Sequence, residues 1–277
     1  MASARVLSAG LSRAAEPYRA VLASRLRAQR SYRSNFVLDC ASSFLVSFVE
    51  LAEVWVLFHA VHSLGGFDFR EVLLVFGLAD FAFSLTDMVF GHCDNLAQFV
   101  REGTLDTFYL RPQPLLLQLI TSDISLRRLA RAAVGLLCIV IALELNDIAW
   151  TPAHVGLLVL TLVSSFAIFS ATFVWAAGIQ FFVINGAELT NSFVYGGRYA
   201  ATQVASVWSR PIKVAFGFVI PMAFTAYLPA LLLLGKTGPE WLPAWLGWCT
   251  PVAALVAWAI GMLLWRTGVR HYQGGGG

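Results

Sequence analysis

DNLAQFVREGTLDTFYLRPQPLLL, residues 94–117, is a charged, helix-prone stretch that stands between long apolar runs. Asp94 has the side chain of a helix N-cap. Leu96, Phe99 and Val100 then fall on one short apolar face, with Arg101 and Glu102 beside it. Gly103 ends that turn. Thr104, Leu105 and Asp106 lead into Phe108-Tyr109-Leu110, and Arg111-Pro112-Gln113-Pro114 stops helix formation. Such a stretch suits a short amphipathic docking element with a rigid exit. On the residues alone, an ordinary connecting loop fits as well.

What flanks it settles the solvent. The 277 residues are 58% hydrophobic and 13% charged, with a mean hydropathy of +0.71. A soluble domain carries roughly 25% charged residues. Several apolar runs reach the roughly 20 residues that cross a bilayer as helix. Alternating strand patterns of the kind used by membrane barrels are missing from the sequence. The expectation is an all-α polytopic membrane protein with six spans. The net charge of +3 is too small to suggest a nucleic-acid partner. Cys40, Cys93, Cys138 and Cys249 are scattered singly, without the paired spacing of a metal site.

Residues 1–34 carry seven arginines against one acid, Glu16, and lack the apolar core of a signal peptide. Tyr18, Val21, Leu22 and Leu26 share a helical face, as in a helix lying in the membrane interface. A single transmembrane domain over 35–266 follows, with 94–131 as its coupling region, and 267–277 form a short basic tail. The expected spans are 36–61, 71–92, 132–148, 153–184, 214–234 and 250–265. Pro221 and Pro229 permit a bend in the fifth. Residues 185–213 read as a helical segment at the cytoplasmic surface, broken at Gly196-Gly197. With both termini cytoplasmic, 17 of the 19 Lys and Arg fall inside, and only Arg70 and Lys236 outside.

Chemistry-bearing patterns are few. Residues 230–237 imitate a phosphate-binding loop, but Ala230 replaces its first glycine and four leucines fill it. His59 and His62 are three apart, without the further ligands that a metal needs. No nucleophile-and-base pattern of an intramembrane enzyme is present. Glu50, Glu53, Asp80 and Asp87 lie within spans, where a carboxylate is costly and faces protein or water rather than lipid. They read as structural polar contacts or as a polar path. Sequence reasoning finds no base deep in a span to pair with them.

Residues 101–119, REGTLDTFYLRPQPLLLQL, resemble the motif of the ABC-2-type exporter permeases, in a branch whose substrate is unassigned. Arg101, Gly103, Leu105, Asp106, Leu110, Arg111, Pro112 and Pro114 carry the match. Residues 66–87 and 210–236 resemble further segments of that family, in the expected order. Thr104, where the family often has an acid, and Gln113 are departures. The resemblance implies six spans, an interfacial helix before the first, and a cytoplasmic coupling helix between spans 2 and 3. It implies no catalysis or cofactor in this chain, with ATP and Mg on a separate ATPase present in two copies. It further implies a second permease subunit, identical or related, in a prokaryotic cell membrane. The coupling residues would be Leu96, Phe99, Val100, Arg101, Gly103, Leu105, Asp106, Arg111 and Pro112. A proton-coupled secondary carrier using the intramembrane acids is the alternative reading.

Overall fold

A computed structural model describes residues 33–122, 124–183, 188 and 191–272, together with residues 23, 24 and 27. Most of the expected interfacial helix over 1–34 lies outside the described residues, as do residues 273–277 of the tail. Among the described residues the chain is helical and contains no strand; a bridge between Leu64 and Phe67 closes one loop.

Helix α1 (Arg33–Ala60) is followed by α2 (Phe69–Phe90). Asp68 starts α2 through a capping box: its carboxylate accepts from the Glu71 amide at 2.9 Å, and Glu71 accepts from the Asp68 amide at 2.8 Å. A 3-10 turn (Gly91–Asn95) then enters three short helices, α3 (Leu96–Arg101), α4 (Leu105–Tyr109) and α5 (Leu115–Thr121). Helices α6 (Arg128–Leu145) and α7 (Pro152–Gln180) come next. Thr151 caps α7 and Pro152 occupies its first turn, where a missing amide proton removes no helical bond. A π-helical turn (Asn191–Tyr195) runs into α8 (Gly196–Thr202). The chain ends with α9 (Arg210–Val214), α10 (Tyr227–Leu233) and α11 (Thr250–His271).

Helix α2 is the centre of the bundle, buried along most of its length, whereas α1 is largely exposed. Glycines set the closest approaches. A Cβ on Gly77 would lie 2.8 Å from the amide nitrogen of Ile139, and one on Gly135 would lie 2.6 Å from that of Phe81. Helices α2 and α6 therefore run antiparallel with backbones in contact. Gly178 meets the backbone at Leu264 and Trp265, and Gly268 meets the Gly178 carbonyl, so α7 and α11 lie parallel and equally close. Between helices solvated by lipid, such approaches supply packing that hydrophobicity alone does not.

Four helical stretches are long and apolar enough to cross a membrane: Phe36–Ala60, Phe69–Arg101, Pro152–Gln180 and Ala244–His271. A fifth arises if Arg210–Val219 and Met222–Leu233, which meet at 67°, count as one. The break falls at Pro221, where a bend was permitted. Helix α6 has only 18 residues and carries Arg128, Arg131 and Glu144.

The stretch 185–213 departs from expectation. Its described part is not confined to the end carrying 94–117: it starts there, with Tyr195 on Asp94, and runs to the other end of α2. Gly197 packs on Met222, Arg198 is 7% exposed, and Ser206 donates to the Gly65 carbonyl at 2.9 Å, at the opposite end of α2. Lys213 lies over the Trp241 ring, in the loop whose Lys236 reaches Gly66 and Glu71. Arg210 and Lys213 thus belong with the 61–68 loop. Moving them there, and Arg198 into the bundle, removes three of the 17 bases that the sequence count assigns to the inside. In the sequence Arg198 reads as a surface charge, because nothing in the local pattern shows that distant carboxylates neutralise it.

Candidate functional site

The stretch 94–117 lies across one end of the bundle, folded as two short helices hinged at Gly103. Gly103 has φ +67°, a left-handed conformation, and its amide donates to the Val100 carbonyl at 3.2 Å. Asp94 does not cap α3. Asn95 holds that position without a side-chain bond, and the Asp94 carboxylate instead accepts from the Tyr195 hydroxyl at 2.7 Å.

The apolar face turns inward, and this corrects the expected docking surface. Leu96 and Leu105 are fully buried, while Phe99, Val100 and Phe108 are partly buried against the same core. The rings of Phe99 and Phe108 stand 5.7 Å apart. A short helix beside an apolar bundle buries its apolar face there, so Leu96 and Leu105 are unavailable to a partner. The exposed residues include Gln98, Arg101, Glu102, Thr104, Thr107, Tyr109, Leu110, Arg111 and Pro112. Leu110 is 86% exposed, and Arg111 lies over the Phe108 ring at 5.7 Å. Gln118 on α5 fixes the proline turn by donating to the carbonyls of Gln113 at 2.7 Å and Phe108 at 3.1 Å.

Polar ties join this stretch to three other elements. The Ala97 amide donates to Gln180 Oε1 at 2.8 Å, at the end of α7. Tyr195, in the π-helical turn before α8, holds Asp94. Tyr272, at the end of α11, donates to Asp106 Oδ1 at 2.9 Å and stacks on Tyr109, with centroids 5.7 Å apart and planes 5° from parallel. Burial, and then the Asp106 carboxylate, raise the Tyr109 phenol above its ordinary pKa.

A second cluster gathers the intramembrane acids. Arg198 Nη1 donates to Glu50 Oε1 at 2.9 Å and Nη2 to Asp80 Oδ1 at 2.6 Å, while Nη2 also reaches Glu50 Oε2. Asp80 is fully buried, and the guanidinium lies 5.4 Å from the Phe83 ring centroid. Arg131 on α6 donates to Ser47 at 3.3 Å and its charge acts on both carboxylates. Asp87 pairs with Arg128, and Glu53 accepts from the Tyr199 hydroxyl at 3.2 Å. Asp39 and Arg127 approach within 3.6 Å at the surface. Asp39, Ser47, Glu50 and Glu53 lie on one side of α1, which meets the bundle through these polar residues and the adjacent Leu51, Val54 and Phe58.

Of the four acids assigned to a polar path, Glu50 and Asp80 come together, while Asp87 and Glu53 stand apart with their own partners. Sequence reasoning missed Arg198, Tyr195, Gln180 and Tyr272. One signal was present: residues 191–209 hold a single charge, Arg198, over a length close to that of a span. For the two tyrosines and Gln180 no local signal exists.

The helices, their apolar faces and the inward glycines describe a multi-pass membrane protein. The comparisons agree. No curated protein and no solved structure matches the chain. The family described as "ABC-2 family transporter protein" matches residues 44–276, and the chain belongs to that family.

Proposed function

We propose that this chain is the membrane-spanning permease subunit of an ATP-binding cassette exporter, driven by a separate ATPase that docks on residues 94–117. The carrying observation is the exposed rim of that stretch: Leu110, Arg101, Glu102 and Arg111 face outward from a backbone that turns at Gly103 and is stiffened by Pro112 and Pro114. Membership of the ABC-2 family supports the reading. Two ATPase copies would carry ATP and Mg, and a second permease subunit, identical or related, would complete the path. Six spans are proposed: α1, α2, α6, α7, the segment 191–209 and α11, with 210–233 dipping in and returning. The 94–117 end and both termini face the cytoplasm of a prokaryotic cell.

The pairing of the acids weighs against a proton-coupled carrier. Glu50 and Asp80 share Arg198, and Asp87 holds Arg128. Carboxylates neutralised by arginine are poor proton relays, because arginine keeps its charge. The test is purification of the chain from its native membrane followed by an ATPase assay. Co-purification of a subunit with a phosphate-binding loop, and ATP hydrolysis that responds to the permease, is the expected result. Uptake driven by a proton gradient in vesicles of the chain alone would overturn it.

A further inference from the structure

We propose that Tyr272 is the positioning residue through which residues 94–117 move the α7–α11 pair. This rests on the docking role proposed above and goes further, assigning one side chain as the link between input and spans.

The geometry is that of a clamp. Asp106 and Tyr109 are three apart on α4 and so share a face. One accepts a hydrogen bond from the Tyr272 hydroxyl at 2.9 Å, and the ring of the other is parallel to its ring with centroids 5.7 Å apart. A hydrogen bond fixes where the ring tip sits, and a parallel stack fixes the plane, so Tyr272 follows α4 in both position and orientation. The Tyr272 ring also stands 5.9 Å from Phe181, the residue after α7, and Phe181 in turn stands 5.5 Å from Trp265 of α11. Tyr272 directly continues α11, which spans 22 residues.

Beyond the clamp, α7 and α11 behave as one body. The Trp175 indole donates to the Ala257 carbonyl at 2.7 Å, and Gly178, Gly261 and Gly268 leave no space for one helix to slide past the other. A pair with backbones this close would shift as a rigid unit. A displacement of α4 gripped at Tyr272 would therefore reach the loop 234–249 at the far end of α11. Gln180 and Tyr195 offer rival routes from the same stretch, through α7 and α8.

Amide hydrogen exchange on the permease–ATPase complex in nanodiscs, with and without ATP and vanadate, separates these routes. In the unaltered complex, trapping is expected to change exchange at 94–117 and at 234–249. Tyr272→Ala keeps the first change and loses the second. Tyr272→Phe, which retains the ring and loses the bond to Asp106, shows a reduced change at 234–249. A full change at 234–249 in Tyr272→Ala assigns transmission to Gln180 or Tyr195 and overturns the proposal. Should Tyr272→Ala fail to assemble, an unreduced change in Tyr272→Phe overturns it equally. No change at 94–117 in the unaltered complex removes the docking role itself, and the clamp with it.

Discussion

Arg198 and Asp80, 118 residues apart in the chain, meet at 2.6 Å inside the bundle, and the same guanidinium holds Glu50 of α1. A base and an acid that are each expensive in a membrane become tolerable together. The pair also helps to attach α1, which is exposed along most of its length: its inward side sets Ser47, Glu50 and Glu53 beside the apolar Leu51, Val54 and Phe58.

Arg198→Met should therefore be more damaging than loss of any one apolar contact of α1. It leaves Asp80 buried and uncompensated, a change that costs about 3–5 kcal/mol for buried pairs. Thermal unfolding in detergent, followed by size-exclusion chromatography, is the measurement. Restoration of stability by adding Asp80→Asn and Glu50→Gln to Arg198→Met is the expected companion result. A single variant as stable as the parent would show that the cluster contributes nothing.

The two faces of residues 94–117 should separate under mutation. Leu96 is fully buried, so Leu96→Ala is expected to cost about 2–5 kcal/mol of stability. Leu110 is 86% exposed, so Leu110→Ser should leave unfolding unchanged and weaken ATPase co-purification. Equal effects of both variants on stability would contradict the inward turn of the apolar face.

Much of the bundle was legible because lipid-facing helices are written in long apolar runs. Spans near 36–61, 71–92 and 153–184 correspond to α1, α2 and α7, and the bend at Pro221 follows from a proline inside a span. Where polarity is compensated at long range, the sequence misleads. Arg198 looks like surface charge until Glu50 and Asp80 are brought to it. Leu96, Phe99 and Val100 form a face whichever way the helix turns, and periodicity does not say which side meets the bundle. Tyr272 and Asp106 are separated by 166 residues, and no local pattern pairs them.

Gly135 should resist even a small side chain. A Cβ there would stand 2.6 Å from the Phe81 amide nitrogen and 2.9 Å from its Cα, both backbone atoms that cannot rotate away. Gly135→Val is expected to force α6 off α2 and cost about 1–3 kcal/mol by overpacking. Gly156, whose added Cβ meets nothing within 4 Å, is the matched control: Gly156→Ala should unfold at the parent temperature or slightly above. Thermal unfolding of the two variants side by side checks this, and equal stability would sink the close approach of α2 and α6.

The position of residues 206–213 bears on sidedness in a way that composition alone does not. Counting bases places Arg210 and Lys213 with the cytoplasmic segments, because doing so improves the inside bias. Ser206 bonded to Gly65, and Lys213 over Trp241, place them at the opposite end. The two arrangements differ in which side of the membrane an impermeant maleimide reaches. With Cys40, Cys93, Cys138 and Cys249 replaced, Lys213→Cys in intact cells should react from outside, whereas Thr107→Cys should react only after permeabilisation. Thr107 is exposed at the 94–117 end, so it reports on that side directly. Labelling of both positions from the same side would return 185–213 to the cytoplasmic surface. It would also remove the proposed fifth span, since 191–209 would no longer lead from one face of the membrane to the other.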